Sequence, residues 1–252
     1  MGQGGIGLQR AELHADHLHL LGQTLQDVHM VYTPNATGWS VLLDGPGAAG
    51  KVDWSDAGGV LAARLQHLQL DAQPSPTEGA ANSAEAPPLD PAQLPLLDIR
   101  CDQLAVGGAD FGQAAFVTRR IDGGQAINTF SFSGGKTTLG ANGNWTRVSG
   151  QSAAALKFDL ESEDIAAVLH AFGYAPNLDA KTSHFTGDLQ WPPRAEGLKW
   201  ELAKGPITVD LKTGKLNAVD PGAGRVLGLL NFYALPRRLL LLKRIVLILL
   251  EC

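Results

Sequence analysis

A chain of 252 residues that is 44% hydrophobic and 18% charged is too apolar for a disordered tail, and it is long enough for one large or two modest domains. Its net charge of −5, with no basic stripe before Arg237, Arg238, Lys243 and Arg244, argues against nucleic acid as a partner. Two cysteines, Cys101 and Cys252, exclude a disulfide framework and a thiolate metal cluster.

The opening Met1-Gly2-Gln3-Gly4-Gly5 has neither the basic nor the apolar region of a signal peptide, and strand-like sequence begins near Ile6. The chain reads as starting inside a domain, as a fragment would. Gly2-x-Gly4-x-x-Gly7 has the letters of a dinucleotide fingerprint, but no strand precedes it and a strand follows, so no cofactor is expected.

From there period-two alternation dominates, the mark of half-buried strands. It is clearest at Leu18-His19-Leu20, Val28-His29-Met30, 65–70, Phe130-Ser131-Phe132 and 156–160. Asp44-Gly45-Pro46-Gly47, Asp122-Gly123-Gly124 and Asn142-Gly143-Asn144 read as turns, because Gly and Asn tolerate positive φ. Leu13, Leu18, Leu20, Gly22 and Leu25 recur as Ile99, Leu104, Val106, Gly108 and Phe111, each at an offset of 86 residues. Gly50–Trp54, Ala141–Trp145 and Gly187–Trp191 each end a strand-like run in Trp. Such recurrence predicts stacked copies of one supersecondary unit.

The predicted organisation is a first strand repeat at 1–72, a Pro/Ala-rich linker or loop at 73–95, and a second strand repeat plus helix at 96–180. C-terminal strands and an apolar helix occupy 181–238, and an atypical tail 239–252. The first helix is expected at about 162–173, with Ser162 as cap and Glu163 and Asp164 in its first turn. Ile165, Val168, Leu169 and Phe172 then form one apolar face. A second helix is expected at about 221–233, with Asp220 as cap and Pro221 at its first position. The tail is apolar but too short to span a bilayer, and Lys243-Arg244 interrupt it.

Chemical motifs are sparse. A single strand presents too few of His14, His17 and His19 to one face to complete a metal site, so no metal is expected. Asp159, Glu161, Glu163 and Asp164 form an acidic cluster. Asp159 and Glu161 alternate outward from Leu156, Phe158 and Leu160, and the other two suit a helix start. No nucleophile elbow and no Ser/His/Asp arrangement is recognisable, so an enzyme is not expected.

The segment 160–174, LESEDIAAVLHAFGY, resembles the "ESEDL…LGY" helix of AsmA-like proteins of the YhdP type, and 185–192 resembles the strand that follows it. The most specific match is 219–239, with Pro221, Gly222, Gly224, Arg225, Gly228, Leu229, Leu230, Pro236, Arg237 and Arg238 on the "PGxGRLLGLL…LPRRL" pattern near the C-terminus of such proteins. After Leu239 the sequence departs from the family's further strand pair, as a truncation or a frame shift would make it do.

The resemblance implies a mainly β fold, with repeated antiparallel strands forming an elongated, curved sheet or groove and two short helices. It implies a bacterial periplasmic location, with an inner-membrane anchor N-terminal to this segment. It also implies phospholipid as the partner, carried towards the outer membrane. Candidate groove-lining residues are Leu18, Leu20, Leu104, Val106, Phe130, Phe132, Leu156 and Phe158. A non-catalytic envelope scaffold that binds proteins through sheet edges is the alternative.

Overall fold

The computed structural model describes residues 9–20, 23–72, 90–172, 178–195, 197–198 and 202–216. The predicted second helix and the tail lie outside them. The first five strands are β1 (Ala11–Leu20), β2 (Gln23–Asn35), β3 (Gly38–Asp44), β4 (Ala48–Ser55) and β5 (Val60–Leu70). The next five are β6 (Leu96–Val106), β7 (Ala109–Ile121), β8 (Gly124–Gly134), β9 (Thr137–Val148) and β10 (Gln151–Ser162). A helix, α1 (Ile165–Ala171), precedes β11 (Leu178–Arg194) and β12 (Ile207–Leu216). All the strands form one 12-stranded sheet in sequence order, and its first and last strands do not pair with each other, so the sheet is open.

Every neighbouring pair is antiparallel except β5 and β6, which run parallel with Val60 opposite Leu96 and Leu70 opposite Val106. The alternating pattern gave no sign of this exception. Leu70, the end of β5, and Leu96, the start of β6, therefore stand at opposite ends of the pair, about 33 Å apart. The residues just before β6 are fixed to the sheet: Pro91 and Leu94 are buried. The Arg120 guanidinium donates to the carbonyls of Pro91, Ala92 and Leu94, and the Gln125 amide to those of Leu94 and Pro95. The 86-residue offset seen in the sequence recurs in the strand bounds, with β2 at Gln23–Asn35 and β7 at Ala109–Ile121.

One face of the sheet is apolar. Residues on it form three buried clusters, one around Leu25, Val28 and Ala48, one around Ala63, Leu65 and Cys101, and a large one spanning β6 to β11 with α1. Leu43 and Leu68 border both the first and the second, and Leu104 and Ala114 border both the second and the third, so the strip is continuous across the sheet. In β2 the phase of alternation shifts at Asp27, whose backbone is left-handed at φ 48, and Leu25 and Val28 thereby reach the same cluster. The other face carries ion pairs such as Lys51–Asp53 and Lys157–Asp188.

Between β7 and β11 the apolar face is concave. Helix α1 touches both β7 and β11. Those strands stand four spacings apart, about 19 Å in a flat sheet, and a helix only about 10–12 Å wide reaches both when the sheet curls around it. Bulges in the β7–β8, β8–β9 and β10–β11 pairings supply the bend.

The helix is shorter than the sequence pattern predicts. Asp164, not Ser162, is its cap, and accepts from the Ala167 amide at 3.1 Å. Glu163 and Asp164 therefore precede the helix rather than filling its first turn. The Ser162 hydroxyl instead accepts from the Asp164 amide at 3.0 Å and meets Thr137 Oγ1 at 2.9 Å, while Ser183 donates to the Ser162 carbonyl at 3.0 Å. This buried polar knot ties the start of the helix to three strands. The expected apolar face is intact, with Ile165, Val168 and Leu169 buried and Phe172 packed on the same cluster. Asp164→Ala is expected to cost about 0.5–2 kcal/mol, read as a lower denaturation midpoint, and Asp164→Asn to restore most of it.

The Asn142-Gly143-Asn144 turn is not formed, since β9 runs straight through it. Gly143 is required there by proximity: a Cβ on it would lie 2.2 Å from the Ala155 carbonyl oxygen of the adjacent strand.

Candidate functional site

The concave face gathers the candidate groove residues. Val106, Phe132, Leu156 and Phe158 are buried in the large cluster, and Leu104 and Phe130 are half-buried at its border. Leu18 borders the cluster of β2 and β4. The Leu20 side chain, and the motif residues Pro221, Gly222, Gly224, Arg225, Gly228, Leu229, Leu230, Pro236, Arg237 and Arg238, lie outside the described residues. Aromatic rings organise the middle of the face. Phe111 meets Phe132 edge-on at 4.7 Å between centroids, and Phe130 stands edge-on to Phe116 at 5.5 Å.

Across β9, β10 and β11 the register stacks this face in rows. At one end Arg147 and Arg194 flank Ser152, and Trp145 and Trp191 flank Ala154 in the next row. Leu156 with Leu189, Phe158 with Ala141 and Gly187, and Leu160 with Leu139 and Phe185 follow. The Thr137–Ser162–Ser183 knot closes the other end. Gly187 gives the Phe158 ring its place, since a Cβ there would lie 2.1 Å from ring carbon Cε1. Arg147 donates to the Ser152 hydroxyl at 3.1 Å. Among the described residues, no carboxylate comes within ion-pair distance of Arg147 or Arg194.

Sequence reasoning noticed the runs ending in Trp145 and Trp191 but not the arginines beside them. The pairing of Arg194 depends on a register shift between Ser152 and Ala154, and no local pattern announces it.

Among the described residues, the apolar face is exposed at its edges. Leu13 on β1 and Ile207, Val209 and Leu211 on β12 are exposed apolar residues. Val209 and Leu211 pair with Phe185 and Ser183, which places them on the same face.

The other face holds the clusters of carboxylates and histidines. His184 bonds Asp159 at 3.1 Å, and with Glu161 they place three potential ligand atoms within 4.8 Å of one another, in the open. His14 stands opposite His29, with Asp27 at 3.3 Å from the first and Glu12 at 2.7 Å from the second. These are solvated polar contacts of the outer surface. Asp98 has its carboxyl held below its ordinary value, chiefly by the hydrogen bond from Arg64 at 2.5 Å, which spans the parallel β5–β6 seam. A depressed folded-state pKa means stability that is present above the unfolded value of 3.8 and is lost as pH falls through the folded one. Arg64→Gln is expected to move the Asp98 titration, followed by carboxyl NMR shifts, back towards 3.8, and to flatten the acid limb of stability. Buried Cys101 has its thiol pushed up by desolvation, which makes it a poor nucleophile.

No helix among the described residues is long and apolar enough to cross a membrane. Neither a curated protein nor a solved structure matches the chain. The model of the YhdP protein family matches residues 3–244. A match over nearly the whole length, on an open, curled sheet with one apolar face, shows that this chain belongs to the YhdP family.

Proposed function

We propose that the chain is a segment of a non-catalytic, lipid-conducting β-groove in the bacterial envelope, working in phospholipid transport between the inner and outer membranes. The observation that carries this reading is the apolar strip running unbroken from β1 to β11 on one side of an open sheet that curls between β7 and β11. Such a face shelters acyl chains from water, each buried methylene contributing about 0.8 kcal/mol, and needs no reactive side chain. Family membership supports a place in the periplasm, tethered to the inner membrane by an anchor N-terminal to this segment.

Solvent extraction of the purified chain, followed by mass spectrometry, tests this. Phospholipid at near-stoichiometric levels is expected. Phe130→Asp, at a half-buried position, is expected to remove more than half of it while the far-ultraviolet dichroism keeps its strand signature. A folded, lipid-free protein overturns the reading. It would favour the scaffold alternative, for which the exposed Ile207, Val209 and Leu211 on β12, the last strand among the described residues, speak.

A further inference from the structure

We propose that Arg147 and Arg194 hold the phosphate of an anionic phospholipid head group, with Trp145 and Trp191 marking the level at which the lipid passes from polar to apolar. The proposal rests on the groove reading and adds which lipid class the groove selects and which way round it lies. The rows across β9–β11 run from cation, through indole, to hydrocarbon, the order of chemistry met on entering a bilayer, where Trp gathers at the head-group level. The two arginines stand one strand either side of Ser152, so they are about 10 Å apart in backbone, and two guanidinium groups can converge on one phosphate from that spacing.

Ser152 is fully buried, and its hydroxyl fixes the Arg147 guanidinium. With no carboxylate at hand among the described residues, both cations are available to an anion. Inward of them lie half-buried Trp145, Ala154, Phe130 and Phe116. From Ala154 to Leu160 the strand advances about 20 Å, against about 15 Å for the hydrocarbon of one bilayer leaflet. In length the strand direction therefore matches an acyl chain whose phosphate stands at the arginine row.

The test loads the purified chain from vesicles of equal parts phosphatidylglycerol and phosphatidylcholine and identifies the retained lipid by mass spectrometry. The wild type is expected to retain phosphatidylglycerol at least fivefold over phosphatidylcholine, less so at high salt. Arg147→Gln/Arg194→Gln is expected to retain the same total lipid without the preference, and Arg147→Lys/Arg194→Lys to keep it. Arg194→Gln alone, at an exposed position, covers the case in which losing the Arg147–Ser152 bond impairs folding, and is expected to reduce the preference at least twofold. Lipid retained without preference, or a preference that survives both glutamine variants, overturns the proposal and leaves the groove intact. A chain that retains no lipid overturns the groove and the proposal with it.

Discussion

Phe111→Ala is expected to lower the free energy of unfolding by about 3–5 kcal/mol. For a chain of this size that corresponds to a fall in Tm of roughly 6–20 °C. Phe111 is 1% exposed and sits where the sheet, the helix and the aromatic row converge. Its ring meets Phe132 edge-on at 4.7 Å and lies 6.1 Å from Phe172, just past the end of α1. Alanine deletes both contacts, and the cavity cannot collapse easily, because the strands on either side are fixed by their ladders. Phe111→Leu keeps most of the volume and is expected to cost less than half as much. Chemical denaturation followed by strand dichroism reads both. An alanine variant within 1 kcal/mol of wild type, a level typical of surface sites, would show that the cluster is not closed here.

Ile165→Ala is expected to cost about 2–5 kcal/mol, with a different signature. Ile165 is 1% exposed and begins the only helix among the described residues. It presses the helix onto the concave face, while Asp164 and the Ser162 knot hold the backbone above it. Weakening the contact loosens the helix before the sheet, so amide exchange is expected to quicken across 165–171 at a denaturant concentration that leaves β9 and β10 protected. Removing the helix also bares Val106, Phe132 and Phe158, which it helps to bury. On the groove reading, lipid content per chain then rises although stability falls.

Local signals exposed much of this architecture. Alternation at Phe130-Ser131-Phe132 and at 156–160 placed those strands and their buried side, because a strand's faces are set by its own pleat. The turn residues at 45–47 and 122–124 marked real turns between strands. The same logic failed at Gly143, where glycine answers to the close approach of Ala155 rather than to a turn. It also misplaced the helix cap, since Ser162 and Asp164 are both competent acceptors, and the choice fell to Thr137 and Ser183 on strands that only the fold brings near. The parallel β5–β6 pair was hidden for a similar reason: strand direction is set by the pairing partner, and Val60–Leu70 reads alike in either sense. The arginine row needed the register shift at Ser152, without which Pro193 would stand where Arg194 does.

That parallel seam has a bearing on how the molecule assembles. Wherever strands adjacent in the chain pair antiparallel across a short turn, closure is local and its entropic cost is small. Strands β1–β5 and β6–β10 can each zip up in this way, one hairpin after another. Joining them demands that Val60–Leu70 and Leu96–Val106 align over their whole lengths at once. Non-local parallel pairing of this kind is slow. The seam is therefore the step expected to set the folding rate, and until it closes each block presents an unpaired edge strand to any other chain within reach.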